Sequence, residues 1–186
     1  MTNGQSIEAE GGRSQQVIDR LKSLTYDKVK PLLDAKHEAD PVAGIAIANL
    51  TDIEPVETDK GVYHFHAARV FTSTPETPNF VNPHYHKIGE EPYNILSSDG
   101  GEMNLGFVRN GQVEWDSSRA VASGDLINVK EGQVHSLRNT GKEPLDFTFA
   151  CPDNHLVDNS LDRPDGDRYL TKNLPNGIPP QYPQAV

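Results

Sequence analysis

The sequence predicts an all-β domain preceded by short helices. From about residue 42 onwards, short runs rich in Val, Ile, Phe and Tyr alternate with Gly, Asn, Asp and Pro, a pattern typical of many short strands joined by turns. Two connections, at residues 98–101 and 109–111, carry the residue types that tolerate the backbone conformations of tight hairpins. Many short strands with such turns favour a barrel or a sandwich.

The chain divides into four segments. Residues 1–13 are polar and glycine-rich without apolar periodicity, so we expect a disordered leader. Residues 14–41 carry apolar positions at helical spacing and predict one or two short helices, the second opening at Pro31. We assign residues 42–151 to the barrel, and the proline-rich residues 152–186 to an extended tail that packs on it. The predicted strands are residues 42–49, 61–72, 91–96, 102–109, 112–116, 126–129, 133–139 and 145–150.

Composition narrows the classes of function. A chain of 186 residues can bury the core of one domain without disulfides, and Cys151 is its only cysteine, which favours a reducing compartment such as the cytoplasm. The 17 basic residues against 27 acidic ones give a net charge of -10, which disfavours nucleic acid and anionic membranes as partners. No apolar run is long enough to span a bilayer. A cytoplasmic protein with a small-molecule substrate is therefore expected.

The most informative segment is residues 83–96. Because residues two apart on a strand point the same way, His84 and His86 can present two imidazoles to one ion. Glu90 and Glu91 compete for the role of the carboxylate ligand. If Glu91 faces inward, residues 93 and 95, a tyrosine and an isoleucine, face inward with it, whereas an inward Glu90 would turn Ile95 outward. The alternation favours Glu91.

A second segment, residues 124–139, contains Gly124, Gly132, His135 and Asn139. With the first segment, it resembles the two motifs of the cupin superfamily: His-x-His followed by Glu, and Gly, then Pro-x-Gly-x-x-His-x-x-x-Asn. The resemblance covers roughly residues 60–150. It implies a double-stranded β-helix, that is, a jelly-roll barrel. The ligands that it implies for a metal are His84, His86, Glu91 and His135.

Three turn positions depart from these motifs. Pro78 and Ser98 stand where the first motif begins and ends with glycine, and Lys130 stands where the second has proline. Because these are turn positions, the departures bear on loop geometry more than on metal binding.

Three imidazoles and one carboxylate form a mixed nitrogen and oxygen donor set. Such a set suits one divalent transition metal, Fe, Mn, Ni, Co or Zn, rather than Ca or Mg, and ligand identity does not choose among the five. Four protein ligands on an ion that accepts six leave two positions for water or substrate. The predicted site is therefore reactive rather than structural.

Other polar residues are weaker candidates. His64 and His66 form a second His-x-His pair, but no suitably spaced carboxylate follows, so we interpret them as strand histidines or as a wall that contacts substrate. Arg69 is predicted to line the barrel, where its guanidinium could bind a carboxylate or phosphate. Glu90 and Tyr93 are the catalytic candidates, Tyr93 also as a residue that contacts the cavity.

The spacing of the ligands, the Glu-x-Tyr sequence and residues 139–147 are similar to the small metal-dependent cupin sugar isomerases. The resemblance implies an enzyme acting on a small hydroxy-carbonyl substrate, sugar-like or an organic acid, by isomerase or lyase chemistry. An Fe(II) or Ni(II) dioxygenase and a non-catalytic binding protein remain the alternatives. Apolar tail residues and open sheet edges also predict a homodimer. Cys151 and His155 receive no role.

Overall fold

Two helices precede the strands. In the computed structural model, the described residues are 5–41, 44–72 and 79–182, with residues 5–13 described by their backbone alone. Helix α1 spans Gln5–Lys22 and helix α2 spans Tyr26–Ala39. Residues 5–13 thus lie in a helix where the sequence predicted a disordered leader; Glu, Gln and Ala are good helix formers, even without an apolar stripe.

The second helix does not open at Pro31, as the sequence predicted. The break between the helices comes earlier, and Pro31 lies inside α2. A proline there removes one backbone hydrogen bond, but the helix continues because Val29 and Leu33, on either side of it, are buried against the sheet.

The prediction of an all-β fold is confirmed by the strands that the described residues form. Every predicted strand segment overlaps an observed strand. Residues 42 and 43, at the start of the first predicted strand, lie outside the described part of the chain, and so does Pro78, which departs from the first motif. The strands are β1 Ile45–Asn49, β2 Val56–Thr58, β3 Gly61–Val70, β4 His84–Tyr85, β5 Glu91–Ser97, β6 Gly101–Arg109, β7 Gln112–Val121, β8 Leu126–Val129, β9 Gln133–Asn139, β10 Leu145–Pro152 and β11 Tyr169–Leu170.

The strands form two antiparallel sheets. One has the order β1-β3-β10-β5-β8, with β2 also paired to β3, and the other has the order β11-β4-β9-β6-β7. Neighbours in each sheet are mostly far apart in sequence, as in a jelly roll and unlike a simple meander. The two-sheet jelly roll that the sequence predicted is therefore the architecture of this chain.

Alternation along the strands builds two apolar clusters, one on each face of the six-stranded sheet. On β3, Ala68 and Val70 face the other sheet, where they join the core between the sheets. Phe65 and Ala67 face the opposite way, where they pack with apolar residues of α1 and α2. Strand β10 is buried along its whole length because both of its faces are covered.

The segment after β10 packs on the barrel. A short 3₁₀ helix, Asp153–Leu156, follows β10 directly, and β11 pairs with β4 in the second sheet. Thr171 and Tyr182 are buried, and the Thr171 hydroxyl donates to the backbone oxygen of residue 83 or 177. None of the helices in the described residues has the length and apolar character needed to cross a membrane.

Candidate metal centre

Four buried side chains meet inside the barrel. The possible ligand atoms of His84, His86, Glu91 and His135 all lie within 4.8 Å of one another, and each residue is at most 4 % exposed. The structure thus brings together all four side chains that the sequence predicted as ligands. Two of them, His84 and His135, are cross-strand partners on β4 and β9, and Glu91 comes from β5 in the facing sheet.

Each imidazole is oriented by a backbone carbonyl. Nδ1 of His84 lies 2.6 Å from the oxygen of residue 82, Nδ1 of His86 lies 2.8 Å from that of Asp167, and Nδ1 of His135 lies 3.3 Å from that of residue 133. Because a carbonyl can only accept, each Nδ1 carries the proton and donates it. The lone pair of every ring is therefore on Nε2, the form in which a neutral histidine binds a metal.

Three of the atoms that would bind the ion have no hydrogen-bond partner among the described residues. Nε2 of His86 and of His135 lie 3.0 and 3.1 Å from Oε2 of Glu91. These approaches do not have hydrogen-bond geometry, and all three atoms are buried without a hydrogen-bond partner among the described residues. Buried polar atoms are otherwise nearly always paired, so this cluster fits a bound cation. The donor set, three nitrogens and a carboxylate, fits a transition metal.

Burial and charge favour the protonation states that a metal requires. Burial, followed by the neighbouring His135 and His86, lowers the pKa of His84 well below its ordinary value, which keeps this ring neutral. Burial acts to raise the pKa of Glu91, but the adjacent His86 and His135 outweigh it and hold that pKa well below its ordinary value. The site is therefore ready for a cation near neutral pH.

A cavity of about 90 Å³ opens beside the cluster. It has room for several water molecules, since one needs at least about 10–15 Å³. Most of its wall is apolar and comes from both sheets and from the 3₁₀ helix. The lining residues are Ile45, Ile47, Ala68, Val81, Asn82, His84, Glu91, Tyr93, Phe147, Phe149, His155, Leu156 and Arg168.

A larger hollow of about 380 Å³ lies between α1 and the turns at residues 59–60 and 89–90. It contains none of the four clustered residues. We place the candidate functional site at the smaller cavity because the unpaired ligand atoms lie beside it. The larger volume of the other hollow is not evidence of a reactive site.

Tyr93 lines the cavity, as the sequence predicted. Burial, and then the nearby Glu91 charge, raise the pKa of Tyr93 well above its ordinary value. The phenol therefore keeps its proton near neutral pH, and it can donate a hydrogen bond or a proton but cannot serve as a base.

Glu90 does not reach the cavity, which corrects its prediction as a catalytic residue. Its carboxylate accepts from Nδ2 of Asn128 at 2.6 Å and from Nζ of Lys130 at 2.7 Å, on the outer side of the strand. The reason is strand alternation: Glu91 is the residue that faces inward, so its neighbour must face away.

Arg69 is also wrongly predicted as a cavity residue. It lies on the outer face of β3, beneath α2, where its Nε and Nη2 each donate to Asp146 at 2.7 Å. Its Nη1 donates to Asp34 of α2 at 2.8 Å. The guanidinium is thus occupied by two carboxylates, because the inward positions of β3 are 66, 68 and 70.

The two histidines of the second His-x-His pair, His64 and His66, lie in different environments. His64 is about 40 % exposed, and its Nε2 lies 3.7 Å from Asp153. His66 is buried, with Nδ1 3.0 Å from Oδ1 of Asn49 and its ring 5.0 Å from that of Phe149. Neither lines the cavity beside the cluster, and together they border a separate hollow of about 260 Å³.

Sequence reasoning missed the residues that the tail contributes. The His155 ring stacks on that of His86, with centroids 3.8 Å apart and planes 3° apart, and its Nε2 donates to the oxygen of Ile88 at 2.6 Å. The Asp167 carboxylate accepts from the backbone N–H groups of Lys87 and Ile88 at 2.9–3.1 Å. These contacts fix the loop between β4 and β5, but no sequence spacing relates residues that are 67 to 80 positions apart.

The similarities of this chain to known proteins are distant. No family model matches the chain, and no curated protein is significantly similar to it. Among solved structures, a recombinant oxalate oxidase in complex with glycolate is 17 % identical, with a TM-score of 0.45 over 57 % of this chain and 50 % of its own. A cupin-2 domain from Rhodospirillum rubrum is 15 % identical, with a TM-score of 0.43 over 62 % and 64 %.

A predicted oxalate decarboxylase from Thermotoga maritima is 21 % identical, with a TM-score of 0.41 over 57 % of this chain and 77 % of its own. The chain spans only half the length of the oxalate oxidase that it matches. The activities in these names belong to those proteins.

Proposed function

We propose that this jelly-roll chain is a cupin and a metal-dependent enzyme acting on a small hydroxy-carbonyl compound. One observation carries the proposal: three oriented imidazoles and a carboxylate converge within 4.8 Å at the side of a cavity, and three of the converging atoms, on His86, Glu91 and His135, are buried without a hydrogen-bond partner among the described residues. A structural site would enclose its ion fully, whereas these residues leave a side open to the cavity.

When bound, a divalent metal would supply a Lewis acid that polarises the oxygens of a hydroxyl or carbonyl group. The residues of this chain would do the rest. The apolar wall, which includes Phe147 and Phe149, would lower the polarity around the reacting atoms. Tyr93, protonated near neutral pH, would donate to a substrate oxygen. Of the two catalytic candidates, Glu90 and Tyr93, only Tyr93 lines the cavity.

Isomerase or lyase chemistry is our first choice, because the site offers a Lewis acid position and a proton donor. The specific observation in favour of a dioxygenase is the apolar wall, since molecular oxygen is itself apolar. The two reactions differ in their need for oxygen and for a redox-active metal. Turnover without oxygen and with zinc supports the first, and oxygen consumption coupled to substrate loss supports the second.

The experiment begins with elemental analysis of the purified protein and of two variants. His135→Ala removes a proposed ligand, while His64→Ala removes a histidine of the same barrel that lies outside the cluster. We expect stoichiometric metal in the wild type and in His64→Ala, and background metal in His135→Ala. Equal metal content in the two variants would contradict the site.

Activity is then screened with Zn, Mn, Fe, Co and Ni, aerobically and anaerobically, against hydroxy acids, keto acids and small sugars. Metal binding and saturable ligand binding without turnover under any of these conditions would reject the enzyme and leave a binding protein. We further propose that the protein is cytoplasmic, because its single cysteine is buried and reduced, and that it is a homodimer. Light scattering that gives the mass of one chain would reject the dimer.

A further inference from the structure

One residue that lines the cavity beside the metal centre has a positively charged side chain, and this residue comes from the tail. Arg168 lines the cavity beside Asn82 and Glu91. Of the lining residues, it is the only one with a permanent positive charge, because histidines are neutral when they bind a metal. In a chain with a net charge of -10, such a residue marks a place where an anion can be held.

Strand pairing explains why Arg168 faces inward. Leu170 is the cross-strand partner of His84, and directly paired residues lie on the same face of a sheet. Arg168 precedes Leu170 by two positions, so it shares that face. Between them, Tyr169 points outward, where its ring stacks on that of Tyr85 with the centroids 5.0 Å apart.

The guanidinium of Arg168 is only partly occupied. Its Nε lies 3.3 Å from Oδ1 of Asp158, and its side chain is 27 % exposed. Within the described part of the chain, neither of its terminal nitrogens donates a hydrogen bond. Arg69 is the contrast, because all three of its nitrogens are bound to carboxylates. Arg168 thus retains the pair of donors that recognises a carboxylate through two parallel hydrogen bonds.

We propose that Arg168 binds the carboxylate of the substrate, which makes the substrate a small hydroxy or keto acid and not a sugar. This inference rests on the proposed function, and it specifies the class of its substrate. The wall supports it in a second way, since a sugar needs many hydrogen-bond partners, whereas most residues of this wall are apolar. A short acid needs polar groups only at its two ends, the metal side and the arginine side.

The test compares acids with their neutral amides. Glycolate and glycolamide, and lactate and lactamide, differ in charge but hardly in shape. Isothermal titration calorimetry measures their affinities for the zinc-loaded and the metal-free wild type, for Arg168→Gln, for Arg168→Lys and for the control Arg163→Gln. Arg163 is a tail arginine that is exposed and paired with Asp165, so its replacement makes the same change of charge outside the cavity.

We expect the wild type and Arg163→Gln to bind each acid at least about 10-fold more tightly than its amide, because a hydrogen bond to a charged group is worth that much. In Arg168→Gln, the preference for the acid should fall to less than about 2-fold, while the affinity for the amide stays unchanged. Arg168→Lys should keep part of the preference, because the lysine ammonium attracts the carboxylate as a point charge. Circular dichroism and the Tm of each variant check that the fold is intact.

Two outcomes would overturn the proposal. One is a preference for acids that survives in Arg168→Gln, which would mean that the carboxylate is held elsewhere. The other is a wild type without any preference, including one that binds none of the four compounds. Metal content, measured on the same samples, tests the proposed function separately. If no metal binds, that function fails, while the metal-free titrations still decide the role of Arg168.

Discussion

Two regions of this protein bury several polar side chains each, and they do so in opposite ways. Beneath α2, Arg69 is surrounded by the carboxylates of Asp34 and Asp146, and its polar atoms are matched. In the metal centre, Nε2 of His86 and His135 and a carboxylate oxygen of Glu91 are buried without hydrogen bonds. Matched charges hold two elements together, whereas unmatched ligand atoms indicate that something else binds there.

The largest expected effect concerns the ion pairs of Arg69 beneath α2. Arg69→Met leaves the buried carboxylate of Asp146 without its partner, and breaking such a pair costs about 3–5 kcal/mol in the free energy of unfolding. Chemical denaturation of the metal-free protein measures this loss. The metal content per folded chain should not change, because Arg69 faces away from the cavity. A loss of metal at unchanged stability would contradict the division into two regions.

The second largest effect concerns the metal centre and the stability that a bound ion adds. Zinc at 100 times its dissociation constant should raise the free energy of unfolding of the wild type by about 2.7 kcal/mol, because it binds only the folded chain. Thermal unfolding with and without zinc checks this, and a chelator should reverse the rise in Tm. Glu91→Gln should abolish the rise, while Glu90→Gln, its outward-facing neighbour, should retain it. An equal response of both variants would be evidence against the cluster as the binding site.

A smaller effect is expected from the tail. Asp167→Ala removes the carboxylate that holds the backbone of Lys87 and Ile88, next to the ligand His86. Changes in the groups that orient metal ligands typically weaken metal affinity about 10–100-fold. Competition with a chromophoric chelator gives the affinity. Asp165→Ala, an exposed residue two positions earlier, is the matched control and should bind zinc as the wild type does.

The smallest effect concerns the loop between β4 and β5. The Tyr63 hydroxyl accepts from the N–H of Glu90 and donates to its carbonyl, both at 3.0 Å, so Tyr63→Phe should cost about 1 kcal/mol or somewhat more. Burial raises the pKa of Tyr63 from 10.0 to about 12. Its contribution to stability is therefore full below pH 10 and is lost as the pH rises from 10 through 12.

Denaturation curves at pH 8, 10 and 11 test both statements. Tyr63→Phe should lose less stability than the wild type between pH 10 and 11, because a phenylalanine does not titrate there. A variant that follows the alkaline loss of the wild type would show that Tyr63 is not its source. Tyr93 and Tyr182, whose pKa values burial also raises, contribute to the loss that both proteins share.

The sequence predicted the long strands well, and the short ones poorly. Strands such as β3 and β9 carry enough alternating residues to be recognised, whereas β4 and β11 have two residues each and exist only because they pair with other strands. The choice of Glu91 over Glu90 could likewise be made from alternation within one strand. The prediction of Arg69 as a cavity residue was wrong because its neighbours on β3, Ala68 and Val70, face the core, so that Arg69 faces α2.

What the sequence determined by itself is local: the alternation of β3, β5 and β10, the turns between strands, and the spacing of His84, His86 and Glu91 along one stretch of chain. Only the tertiary structure decided which distant groups complete the site. Arg168 reaches the cavity because β11 pairs with β4, and His155 reaches it from the 3₁₀ helix that follows β10. Both positions depend on the packing of the tail against the barrel. Contacts between residues about 80 positions apart leave no periodic trace in the sequence, since each depends on the position of both chain segments at once.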